Sequence, residues 1–97
     1  MTKRKLKFSK FEASDYLRND KVIAEYLSLA AQDEDPAVLL KAIGEVAKAK
    51  GIAKVAKASG LGRESLYKSL ADGAKPRFET VAHIMRALNL RLTVAAE

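Results

Sequence analysis

Three features of the sequence predict an all-α fold of five helices followed by a short C-terminal β-strand. Apolar residues recur at three- and four-residue steps along most of the chain. Capping residues, glycines and prolines interrupt that period at helix-length intervals. Only after Asn89 does the period fall to two, with Leu90, Leu92 and Val94 alternating with Arg91 and Thr93. A chain of 97 residues, 48% hydrophobic and with two prolines, supports one modest core and is too short for two. The expected organisation is a basic arm over 1–14 and one domain over 15–97.

Residues 1–14 lack a helical period, and Leu6-Lys7-Phe8 reads as a short extended piece or part of the arm. A helix is predicted from Asn19 or Asp20, where an Asx side chain can cap it, with Val22, Ile23, Tyr26, Leu27 and Ala30 at helical spacing. Asp33-Glu34-Asp35-Pro36 ends it. Asp35 suits the N-cap of a second helix and Pro36 its first position, where a missing N–H costs nothing. That helix runs to about Lys50 on Leu39, Leu40, Ile43, Val46 and Ala47. Lys48 and Lys50 lie where the dipole favours cations, and Gly51 is available for a left-handed stop. Shorter helices are predicted over 52–59, 63–71 and 78–88. The last places Phe78, Val81, Met85 and Leu88 on one stripe with Ala82 and Ile84 at its flanks, and Asp72-Gly73-Ala74-Lys75-Pro76 forms the turn before it.

Charge is unevenly distributed. Five basic and no acidic groups fall in residues 1–10, six basic and two acidic in 51–77, and the excess of acid lies between, over 11–50. The net charge is +6. A basic stretch inside a folded segment suits a polyanion, and lysine-rich surfaces also serve solubility. The basic N-terminus lacks the apolar core of a signal peptide, no run reaches the length of a membrane span, and a cytoplasmic protein without membrane contact is expected. No cysteine is present, so disulfides, thiolate chemistry and cysteine-ligated zinc are excluded.

The segment AKVAKASGLGRESLYKSL, residues 53–70, carries the chemistry. Two helices meeting at a tight, steep corner need a small residue at the crossing, a glycine in the turn and apolar side chains that lock it. Ala56, Gly60 and the set Val55, Leu61, Leu66 and Leu70 supply these, which is the pattern of a helix-turn-helix over 52–70. With Leu66 and Leu70 inward, Arg63, Glu64, Tyr67 and Lys68 face outward, and the N-terminal residues of such a second helix read base edges. Arg63 could pair bidentately with guanine and Glu64 could accept from cytosine. Lys54, Lys57, Gly62, Ser65, Lys75 and Arg77 are candidates for phosphate contacts, which position a protein on DNA without specifying sequence. Gly62 stands where a Ser or Thr cap is more usual, which removes one side-chain contact. The competing interpretation is an αα-corner with a structural role only.

The stretch GIAKVAKASGLGRESLYKSLADGAKPRFETVAHIMRALNLRLTV resembles phage-repressor-like (Xre/Cro-type) helix-turn-helix domains. With FSKFEASDYLRNDKVIAEYL and DEDPAVLLKAIGEVAKAKGI before it, the chain over about residues 8–94 is similar to the addiction-module antidote proteins. The resemblance implies a bacterial type II antitoxin that binds and neutralises a small basic RelE/ParE-like toxin and represses its own operon as a dimer. The residues offer partial support. Asp15, Asp20, Glu25, Asp33, Glu34, Asp35 and Glu45 could complement a basic partner, or serve as a solvated face with acids at helix starts. A strand at Leu90, Leu92 and Val94 would leave an edge that a second copy could pair across a two-fold axis, or that Leu6–Phe8 could pair within one chain.

No enzyme is expected. His83 lies about 200° around its helix from Val81, away from the apolar stripe, and a single histidine makes neither a triad nor a metal site. No phosphate-binding glycine loop or serine elbow occurs, and no metal or cofactor is expected. The arm Lys3, Arg4, Lys5, Lys7 and Lys10 reads equally as a solubilising tail, a DNA arm or a partner-binding segment. Tyr16 and Tyr26 are expected to pack on the core and Tyr67 to be exposed. A helix-turn-helix regulator without a toxin, and a helix-turn-helix used only for protein contact, are the alternatives.

Overall fold

The computed structural model describes residues 19–96, which form five helices: α1 (Asp20–Ala31), α2 (Pro36–Lys50), α3 (Ile52–Ser59), α4 (Arg63–Ser69) and α5 (Phe78–Ala87). Each begins within a residue of the position the capping pattern predicts. Asn19 caps α1, its Oδ1 accepting from the N–H groups of Lys21 (2.9 Å) and Val22 (3.2 Å). Asp35 caps α2 through Ala37 N–H at 3.0 Å, and Pro36 takes the first helical position. Such caps satisfy backbone donors that no intrahelical carbonyl can reach. Gly51 joins α2 to α3 at φ 106°, ψ 111°, a positive φ outside the left-handed helical region expected there.

α1 and α2 form an antiparallel hairpin, with Lys50 at the end of α2 reaching Asp20 at the start of α1 at 2.8 Å. α3 then crosses onto α2, and both α4 and α5 pack on α3. The core these helices share is Ile23, Leu27, Ala42, Ile43, Val46, Ala47, Val55, Ala56, Leu66, Ile84, Met85 and Leu88, with no polar side chain buried among the described residues. Each element contributes its apolar stripe, and burying one Leu or Ile side chain is worth about 1.5–3 kcal/mol. Gly44 on α2 faces the end of α4, where a Cβ would meet Leu70 Cβ at an ordinary contact distance of 3.8 Å.

Two expectations are corrected. Phe78 does not belong to the core stripe of α5; it is 74% exposed, while Ile84, placed at the flank, is wholly buried. Phe78 is the first residue of its helix, and the residues of α5 buried in the shared core come later, at Ile84, Met85 and, at its end, Leu88. The C-terminal strand is absent among the described residues, and 91–96 carry no regular structure. Leu90 N–H is satisfied by Met85 O at 3.0 Å, which continues the helix terminus and does not start a ladder. A strand exists only against a partner strand, and none lies among residues 19–96. The arm 1–14, with Leu6–Phe8, Lys3, Arg4, Lys5, Lys7 and Lys10, and also Asp15 and Tyr16, falls outside the described residues.

Candidate nucleic-acid interface

The corner between α3 and α4 is built from the residues that its sequence pattern singled out. α3 ends at Gly60 in the left-handed region (φ 76°, ψ 7°), whose N–H reaches the carbonyls of Ala56 (3.1 Å) and Lys57 (3.3 Å). Ser59 supports the same turn, donating from Oγ to Ala56 O at 3.1 Å and accepting Leu61 N–H at 3.3 Å. Two residues later Gly62 caps α4 at φ 81°, ψ 157°. That conformation is essentially reserved for glycine. Glycine therefore stands at 62 for a backbone reason, and the Ser or Thr hydroxyl more usual at this cap would not fit this chain path without strain.

Inside the corner, Val55 and Ala56 are buried, Leu66 is wholly buried, and Leu61 and Leu70 are half-buried against the same cluster. Leu66 orients α4, because the wholly buried side chain fixes which face of that short helix turns outward. The outward residues are Arg63, Glu64, Ser65, Tyr67 and Lys68, all exposed, with Tyr67 at 49%. Lys54 and Lys57 are exposed on α3, and Gly62, Lys75 and Arg77 on the connections flanking α4. Arg77 pairs loosely with Glu79 (3.9 Å, both largely in water), a contact worth little. Among the described residues no ion pair engages Arg63, Glu64, Lys68, Lys54, Lys57 or Lys75.

What these residues share is availability: long side chains with donors and one carboxylate, standing on or beside a helix fixed by its buried leucine. Such a surface can meet phosphates and base edges. Two contributors to it were not legible beforehand. Ser59 bridges the turn, a role that a serine directly before a glycine signals through its habit of local backbone bonding. Phe78 adds an exposed aromatic ring next in the chain to Arg77, and its place at the very start of a helix was the available clue. Leu90 remains half-buried, whereas Leu92 and Val94 are exposed, the latter at 98%.

The only histidine, His83, is exposed on α5. Among the described residues no group of three His, Cys, Asp or Glu side chains is arranged to hold a metal ion. No helix among them is long and apolar enough to cross a membrane. Tyr26 on α1 is half-buried, and its phenol is pushed above its ordinary value of 10.0 by burial and, secondarily, by the Glu45 carboxylate.

A protein of Haemophilus influenzae (strain ATCC 51907 / DSM 11121 / KW20 / Rd), itself uncharacterised, is 34% identical to this chain over 84 residues, a span covering 87% of each. No solved structure matches the chain. The family model described as "Probable addiction module antidote protein" matches residues 7–96, nearly the whole sequence, and the chain belongs to that family.

Proposed function

We propose that this chain is the antidote component of a toxin–antitoxin pair that neutralises its toxin by binding it and represses its own operon by reading DNA with α4. Membership of an antidote family supplies the toxin partner in general terms. The observation that carries the DNA-binding part is the α3–α4 corner. A wholly buried Leu66 holds the helix, and an exposed set of Arg63, Glu64, Tyr67 and Lys68, in no ion pair among the described residues, stands on its other side. In this reading the corner is a helix-turn-helix of the phage-repressor (Xre/Cro) kind. Arg63, Glu64, Tyr67 and Lys68 address bases, and Lys54, Lys57, Gly62, Ser65, Lys75 and Arg77 hold the backbone. The chain acts by binding and performs no catalysis; the partner is a small basic toxin of the RelE/ParE-like kind, and both proteins are cytoplasmic.

Two copies are needed to read a symmetric operator, because half-sites one helical turn apart call for a two-fold axis. Leu92 and Val94, both exposed, with the half-buried Leu90 before them, are the candidate apolar contact for a second copy.

The test is fluorescence anisotropy of DNA from upstream of the gene, titrated with the full chain over a range of salt. Wild type should bind that fragment more tightly than scrambled DNA. Arg63→Ala should erase the preference, while Lys57→Ala and Lys75→Ala should weaken every DNA alike and flatten the salt slope by about one each. If Arg63→Ala and the lysine variants weaken all DNA equally, α4 is not the reading helix.

A further inference from the structure

The turn end of the α1–α2 hairpin carries a second surface, separate in residues from the α3–α4 corner. Leu29 on α1 is 57% exposed and Val38, early in α2, is also exposed, although both are large aliphatic residues in helices that otherwise bury their apolar stripes. Leu29 opens onto a shallow depression lined by Ala24, Glu25, Ser28 and Gln32 on the same helix. The turn between the helices carries Asp33, Glu34 and Asp35, all exposed. Asp33 Oδ1 accepts Asp35 N–H at 2.9 Å and Asp35 caps α2, so the turn holds its shape, and no ion pair among the described residues neutralises these carboxylates. α1 packs on α2 and α4 packs on α3, and none of these patch residues belongs to α4.

An exposed leucine on the same end of the hairpin as a run of exposed carboxylates selects its occupant. A polyanion is repelled. A second copy of this chain meeting the same patch across a two-fold axis would bring two sets of Asp33, Glu34 and Asp35 face to face, and like charges juxtaposed across an interface repel. We propose that this end of the α1–α2 hairpin is the docking face for a basic protein partner, which inserts an apolar side chain against Leu29 and sets cationic groups on Glu25, Asp33, Glu34 and Asp35. The assignment rests on the antidote reading above and locates the toxin-binding surface within it. The residues of that surface are distinct from those of α4.

The probe is the purified product of the reading frame adjoining the gene, titrated against the full chain by calorimetry and by stopped-flow mixing. Leu29→Lys keeps a good helix former at an exposed position, and should raise Kd at least about tenfold, the effect of losing a central anchor. Asp33→Lys with Glu34→Lys should slow association about tenfold at low salt, with the difference fading as salt screens it. Tyr67→Ala should leave Kd unchanged. Wild-type binding that neither variant alters by more than about twofold overturns the surface while leaving the antidote reading intact. A free Leu29→Lys chain that melts more than about 5 °C lower, or that loses self-association, overturns it too, because the recess then holds this chain's own residues or a second copy. Absence of any complex with the wild type removes the antidote reading, and this surface with it.

Discussion

Gly60 and Gly62 stand two residues apart in the same turn, both with positive φ, yet only one of them should be rescued by asparagine. Among the described residues, chain neighbours aside, neither has a heavy atom within 4 Å of where a Cβ would lie, so no packing clash is in play at either site. The whole effect is backbone strain. Gly60 sits at φ 76°, ψ 7°, in the left-handed region that asparagine tolerates. Gly62 sits at φ 81°, ψ 157°, which no side chain relieves. For Gly60→Ala the left-handed penalty is about 1–2 kcal/mol, offset by about 0.4–1 kcal/mol from a narrower unfolded ensemble, a net loss of about 1 kcal/mol. In a domain of this size that lowers Tm by about 4–8 °C. Gly60→Asn should recover most of it. Gly62→Ala carries about 1–3 kcal/mol of strain before the same offset, and Gly62→Asn should be no better than Gly62→Ala. Urea unfolding of the four variants reads these differences directly. Because the alanine–asparagine comparison is made at each site separately, the unfolded-state offset largely cancels. If asparagine rescues both positions, or neither, the two glycines are not in the distinct conformations on which the corner's geometry depends.

Three further outcomes follow from single residues. Gly44→Ala places its Cβ in ordinary contact with Leu70 and removes a glycine from the interior of α2, so it should stabilise the fold by about 0.5–1 kcal/mol in urea titrations. Asn19→Ala deletes both bonds to the first turn of α1 and should cost about 1 kcal/mol, with hydrogen exchange rising first at Lys21 and Val22. The Tyr26 phenol is held above its ordinary 10.0, chiefly by burial and then by Glu45. The unfolded chain therefore gives up this proton at lower pH than the folded one. Its contribution is present in full below about pH 10 and is lost as pH rises through the folded value, so Tyr26→Phe should flatten the alkaline arm of the stability profile.

The helices and the corner were legible because local rules and tertiary packing agree there. Asn19, Asp35 and Pro36 start their helices by chemistry that needs nothing beyond the next three residues, and the spacing of Val55, Ala56 and Leu66 matches their burial against one cluster. Phe78 misled because periodicity reports which face a residue occupies and not whether a neighbour extends far enough along the helix to cover it. Leu90–Val94 misled for a related reason: alternation describes a segment able to pair, whereas a strand needs its partner beside it. At Gly62 a side-chain preference was consulted where the backbone conformation decided. The exposed Leu29 could not be told from a core leucine by spacing alone, since only the packed hairpin shows which apolar positions it leaves open.

The central claim is that α4 reads DNA sequence, and selection from a random double-stranded pool tests it most directly. The full chain and its Arg63→Ala, Tyr67→Ala double variant would be run side by side at about 0.15 M salt, where non-specific phosphate contacts alone bind weakly. Enrichment of a two-fold symmetric site by the wild type, lost in the variant, is the predicted result. No enrichment, or binding that fades smoothly with salt and is shared by the variant, would contradict it and leave α4 as a basic surface without readout.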